Sequence, residues 1–202
     1  MKRLAGALLL VAALLSACGE DTGGVIEQDD QTTDDEQSTA EFNDADVTFA
    51  QMMIPHHQQA VEMAELAPDR AESEEVKALA ARIKDAQAPE IELMTSWLEE
   101  WDQPVEGEMG GMEGMEGMEG MEGMEGMEGM LSDEQMASLE AASGAEFDEL
   151  FLTSMREHHV GAVTMAEEEL RAGQSPEAKE LAQTITDTQQ AEIEEIDQLL
   201  EG

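Results

Sequence analysis

Three observations predict an all-α protein, a four-helix bundle made of two duplicated helical hairpins. The chain repeats itself at an offset of 102 residues, pairing Asp46 with Asp148, Phe49 with Phe151, Met53 with Met155, His56 with His158, His57 with His159, Ala60 with Ala162 and Met63 with Met165. At the same offset Leu79 falls on Leu181, Ile83 on Ile185, Gln87 on Gln189 and Glu90 on Glu192, so the repeat is a whole structural unit. Apolar positions in each copy recur at helical spacing, and residues 42–202 show no strand-like alternation. One hairpin would leave its apolar stripe in water, and two packed together cover both stripes.

Residues 1–17 begin with Lys2 and Arg3, continue in an apolar run from Leu4 to Leu15 and reach Leu15-Ser16-Ala17-Cys18. The run is too short to span a bilayer permanently, which makes it an export signal. Its ending resembles the lipobox of bacterial lipoproteins. That resemblance implies cleavage before Cys18, a lipid on Cys18 that holds the protein to the membrane, and a place outside the cytoplasm on the periplasmic or cell-surface side. Residues 18–41 are Asp, Glu, Gln, Thr and Gly with few apolar side chains, which predicts a disordered acidic tether.

Hairpin one occupies residues 42–103. Phe49, Met53, His56, Ala60 and Met63 stand 4, 3, 4 and 3 apart and draw one stripe along a first helix. An interior proline removes a backbone hydrogen bond, so Pro55 predicts a kink. Ala67-Pro68-Asp69 marks the end of that helix, and Ser73 is placed to cap a second one running to about Trp101. Hairpin two, residues 132–202, repeats the plan with its turn at residues 172–176 and Pro176 at a first helical position. Between the hairpins, the linker at residues 104–131 carries Met109, Met112, Met115, Met118, Met121, Met124, Met127 and Met130 in a run of Met-Glu-Gly triplets. Glycine at every third position opposes a stable helix, and disorder is expected there.

Composition narrows the chemistry. A formal net charge of −40 repels nucleic acid and anionic lipid. A single Cys allows neither an internal disulfide nor a multi-thiolate zinc site, so any metal must be held by nitrogen, thioether or carboxylate.

All four histidines of the chain lie in the matched segments Met53-Ile54-Pro55-His56-His57 and Met155-Arg156-Glu157-His158-His159. Adjacent helical residues point about 100° apart. Both imidazoles of a pair therefore flank one metal above the ridge between them, or one ligates while the other pairs with a carboxylate. Glu90 and Gln87, repeated as Glu192 and Gln189, lie in the apolar stripe of the second helix, where a carboxylate needs a partner. They are candidates to hold the second imidazole N–H, as are Asp46 and Asp148 on the histidine helices. Bundles that bind iron through carboxylates use Glu-x-x-His, and here that glutamate position is Met53 or Met155. Thioether beside imidazole suits Cu(I), and equally Ag(I), better than iron or magnesium. The eight linker methionines read as a low-affinity collector of the same soft ions, with tolerated repeat expansion as the alternative. Because imidazole must be neutral to ligate, histidine-dependent uptake is expected to weaken below about pH 6.

The two segments Phe49 to Ala64 and Phe151 to Ala166 resemble the paired Met-x-x-His-His…Met-Ala signatures of the bacterial family called domain of unknown function 305. That resemblance implies a ferritin-like bundle, export, and copper binding in resistance or homeostasis. By position it makes Met53, His56, His57 and Met63, with Met155, His158, His159 and Met165, the candidate ligands. The expectation is a tethered, non-enzymatic lipoprotein that sequesters Cu(I). Two rivals stand beside it, a ferritin-like metal-dependent oxidase and a stress-response helical module whose histidines only pack. The sequence names neither a delivery partner nor an oligomeric state.

Overall fold

The computed structural model describes residues 42–105 and 128–201. The signal segment, the tether with Cys18, and Met109 through Met127 lie outside the described residues.

Among the described residues five helices follow in order: α1 Asp44–Arg70, α2 Glu74–Glu100, α3 Asp133–Ala141, α4 Ala145–Ala172 and α5 Pro176–Glu201. Asn43 caps α1 in a capping box with Asp46, and Ser73 caps α2 as expected. Pro176 opens α5, and the Ser175 hydroxyl accepts from the Ala178 amide, 3.2 Å away. Two details differ from the sequence expectation. α1 runs through Pro68 to Arg70, because proline withholds only its own N–H and Ala71 N still donates to Ala67 O at 3.0 Å. α1 also continues through Pro55, where the expected kink would bend the helix without ending it. The second difference is α3, a nine-residue helix inside the segment assigned to hairpin two, capped by Ser132 with Gln135 and held by buried Leu139. Its brevity left no full stripe to detect.

α1 packs on α2, α4 on α5, and α1 on α4, which joins the two hairpins. α1 and α4 are antiparallel. Asn43 at the start of α1 donates to Ala172 O at the end of α4, and Gly144 N before α4 donates to Arg70 O at the end of α1. Arg82 to Glu195, at 2.6 Å, ties α2 to α5, an exposed pair of small energetic worth.

The core divides into two apolar clusters. One gathers Met63, Leu79, Ile83, Leu139, Phe147, Phe151, Met155 and Ile196. The other gathers Phe49, Met53, Met94, Trp97, Leu98, Ala162 and Ile185. Truncating any of the larger ones to Ala would cost about 2–5 kcal/mol. The histidines lie in the middle of α1 and α4, so the hydrophobic effect that joins the hairpins also buries them.

Candidate metal centre

The duplication brings its two histidine pairs to one place. His56 and His158 face each other across the α1–α4 contact with ring centroids 3.7 Å apart and planes tilted by 39°. His158 and His159 have centroids 6.5 Å apart. All four rings are buried, none more than 1% exposed. Two equivalent sequence motifs therefore make a single cluster at the centre of the bundle.

Within each pair the two imidazoles are treated differently. His57 Nε2 donates to Glu90 Oε2 at 2.7 Å, and His159 Nε2 donates to Glu192 Oε2 at 2.7 Å. In the neutral ring this bond leaves Nδ1 as the lone-pair nitrogen. His56 Nε2 reaches the backbone carbonyl of Glu128 at 3.4 Å, which favours the same tautomer. The Nδ1 atoms of His56, His57, His158 and His159 all lack a hydrogen-bond partner, and so does His158 Nε2. Each buried, unsatisfied nitrogen costs about 1–3 kcal/mol. An apolar core would be more stable, so the cluster is kept at the expense of stability.

Burial holds His56 and His158 neutral. Desolvation, reinforced by neighbouring His57, pushes His56 down to about 3. His158 is held well below the usual histidine range by burial first and then by the three other imidazoles. Neutral imidazole with a free lone pair is the form that ligates metal.

Met53 and Met155 precede His56 and His158 by one helical turn, are fully buried and belong to opposite apolar clusters. Met63 and Met165 stand seven residues beyond their His partners, about 10 Å along the helix. Met63 is buried in one cluster and Met165 packs half-buried on the other. Among the described residues no group of three or more His, Cys, Asp or Glu side chains is arranged to hold a metal ion.

Other expected partners have different employment. Asp46 accepts from the amides of Gln174 at 3.0 Å and Ser175 at 2.9 Å, besides Asn43 at 2.6 Å. Asp148 accepts from the amides of Glu72 at 3.1 Å and Ser73 at 2.9 Å. Each aspartate thus pins the turn of the opposite hairpin, ten residues or about 15 Å along the helix from the imidazoles. Neither orients an imidazole, because its oxygens are taken by backbone N–H groups. Gln87 and Gln189 are buried, yet both polar atoms of Gln87 and Oε1 of Gln189 are unpartnered, and Glu90 and Glu192 hold the N–H groups of His57 and His159. Glu128 borders the site unpredicted, and Gln59 outside it holds the neighbouring Leu131. The available signal was a break in the repeat, Gln59 standing where the second copy has Gly161.

A family model described as "Domain of unknown function (DUF305)" matches residues 46–200. The chain belongs to the DUF305 family. Among solved structures, a DUF305 protein of Streptomyces coelicolor described as secreted is 34% identical, covering 77% of this chain and 90% of that one with a TM-score of 0.66. A DUF305 fragment from Deinococcus radiodurans is 31% identical over 78% of this chain and 96% of that one, also at 0.66. CopM in its Cu(I)-bound form is 32% identical over 77% of this chain and 95% of that one, at 0.61. CopM is also known in Cu(II)-bound and Ag-bound forms. None of the curated proteins compared matches this DUF305 chain. No helix among the described residues is long and apolar enough to cross a membrane.

Proposed function

We propose that this DUF305 protein binds Cu(I), and by the same chemistry Ag(I), at the buried Met/His cluster, and that it works as an exported lipoprotein in copper sequestration without being an enzyme. The observation that carries this reading is the set of four buried Nδ1 atoms without partners, each with its ring oriented by a bond on the opposite nitrogen or by close packing. His56, His57, His158 and His159 supply nitrogen, and Met53 and Met155 supply sulfur from the adjacent turn. Soft donors at low coordination number suit a closed-shell monovalent ion, and the carboxylates that would favour iron are engaged in holding His57 and His159. Glu90 and Glu192 keep the two rings in place and offset the ion's charge.

The copper and silver complexes of CopM support the choice of metal. The secreted description of the Streptomyces coelicolor relative supports export, and Cys18 after Leu15-Ser16-Ala17 supports a lipid anchor. Met109 through Met130 would collect the same ions weakly, with the accompanying glutamates raising local cation concentration.

A competition titration of the mature protein with Cu(I) against a chromophoric chelator tests the reading. The wild type should hold copper stoichiometrically and consume no oxygen. A variant with all four histidines changed to Gln should lose the tight phase, and one lacking residues 109–126 should lose only weak uptake. Equal affinity in the wild type and the histidine-free variant would overturn the proposal, and copper-dependent oxygen consumption would favour an oxidase.

A further inference from the structure

The end of the Met-Glu-Gly run is not loose. Its last residues lie across α1 and α4 directly over the imidazole pair. From α1, the Gln59 side-chain amide grips Leu131 twice: Gln59 Nε2 donates to Leu131 O at 3.0 Å, and Leu131 N donates to Gln59 Oε1 at 2.8 Å. One turn earlier on the same face, His56 Nε2 reaches Glu128 O. From α4, Gly161 makes room, since a Cβ there would collide with the Glu128 carbonyl. Gly129 adopts φ +88°, where L side chains are strained, and a Cβ on it would lie 2.6 Å from Glu157 O and 3.0 Å from the His158 Cα. A glycine inside a long helix lowers its helix propensity, so Gly161 needs a compensating reason. The crossing segment is that reason.

Gln59 and Gly161 are the same position of the duplicated sequence. One copy has a gripping amide there and the other has no side chain, and both features serve one segment. Beside it opens a cavity of about 330 Å3, with Met130 and Leu131 on one side and Arg156, Glu157 and Val160 on the other.

We propose that Glu128–Leu131 is a docked strap that controls access to the His56–His158 pair, and that Gln59 and Gly161 are the positioning residues that seat it. The strap shields the rings, directs the His56 Nδ1 lone pair inward by accepting from Nε2, and delivers Met130, the last thioether of the run, to the rim of the cavity. Its metal role rests on the proposed Cu(I) and Ag(I) binding. Its seating over the rings does not.

Gln59→Ala and Gly161→Ala test this. Both changes raise helix propensity, so neither weakens its own helix, while one removes the grip and the other removes the space. In the metal-free protein, carbethoxylation of the histidines should run at least fivefold faster in each variant, and the Leu131 amide should lose protection from hydrogen exchange. In the loaded protein, transfer of Cu(I) to a chromophoric chelator should accelerate at least fivefold with the number of tightly bound ions unchanged. Wild-type rates of carbethoxylation and amide exchange in both variants would overturn the strap. Faster carbethoxylation with unaltered copper transfer would overturn its control of access. A wild-type protein that binds no copper, yet shows the metal-free differences, would overturn the proposed function and leave the docked segment standing.

Discussion

His56 and His158, 102 residues apart in sequence, face each other at a centroid distance of 3.7 Å in the middle of the bundle, their planes tilted by 39°. A proton on either ring would place a charge against the other in a site that excludes water. The pair is consequently a neutral, two-sided nitrogen surface, and the duplication that created two histidine motifs ends in one centre.

Removing the groups that orient the rings should weaken binding without abolishing the fold. Glu90→Ala and Glu192→Ala are each expected to lower Cu(I) affinity by about 10–100-fold, the usual effect of losing the residue that holds a ligating imidazole. Chelator competition measures this directly. A change below about twofold in both would mean that His57 and His159 do not ligate.

Acid should destabilise the metal-free protein through the same rings. The unfolded chain takes up protons on His56 near the reference value of 6.5, whereas the folded chain resists until about 3. Between those values the unfolded state binds more protons, so stability falls as pH falls, at up to about 1.4 kcal/mol per pH unit for one imidazole. Denaturant midpoints between pH 7 and 4 should decline less steeply in a His56→Gln variant. Because the folded His56 stays neutral below pH 6, copper uptake there should outlast the sequence-based limit of about pH 6, as titrations at pH 5 would register.

Glu169 gives a dependence of opposite sign. It is 1% exposed, and burial first, then the neighbouring Asp46 carboxylate, raise it from 4.5 to about 8 despite opposition from Lys179. Between about 4.5 and 8 the folded chain holds a proton that the unfolded chain has released, so this contribution is complete below 4.5 and is lost as pH rises through about 8. The repeat has Ala67 at the matching place, so only one end of the bundle carries the device. Thermal melts from pH 6 to 9 should fall in the wild type and flatten in Glu169→Gln, which keeps a donor for Asp46. An unchanged slope in the variant would locate the titration elsewhere.

The two turn-pinning aspartates should differ in worth. Asp46 is fully buried and accepts from three amides, and Asp46→Ala is expected to cost about 3 kcal/mol or more. Asp148, with two amides at a more open turn, should cost about 1.5 kcal/mol on the same change. Urea unfolding of both variants checks the order, and equal or reversed losses would contradict the geometry.

Much of the fold was legible in local pattern. The spacing of Phe49, Met53, His56, Ala60 and Met63 reports one helix face, Ser73 and Pro176 report where helices begin, and the repeat reports two hairpins. Pairing His57 with Glu90 and His159 with Glu192 was also foreseeable, because a buried carboxylate and a buried imidazole in facing stripes satisfy each other. Asp46 and Asp148 were misplaced for a physical reason. They lie on the histidine face, but helical periodicity records direction and not height, and only the antiparallel crossing sets them at the ends against the other hairpin's turn.

What the sequence alone determined is a duplicated all-α chain with four histidines and their methionines on inward faces, since those features depend on neighbours within a few residues. The tertiary structure decided how far apart the copies stand. It made one imidazole cluster from two motifs, drew Glu128–Leu131 across it, and left five ring nitrogens buried without partners. Those outcomes depend on which helix crosses which and at what depth, and packing of whole apolar faces settles that, beyond the reach of any local spacing.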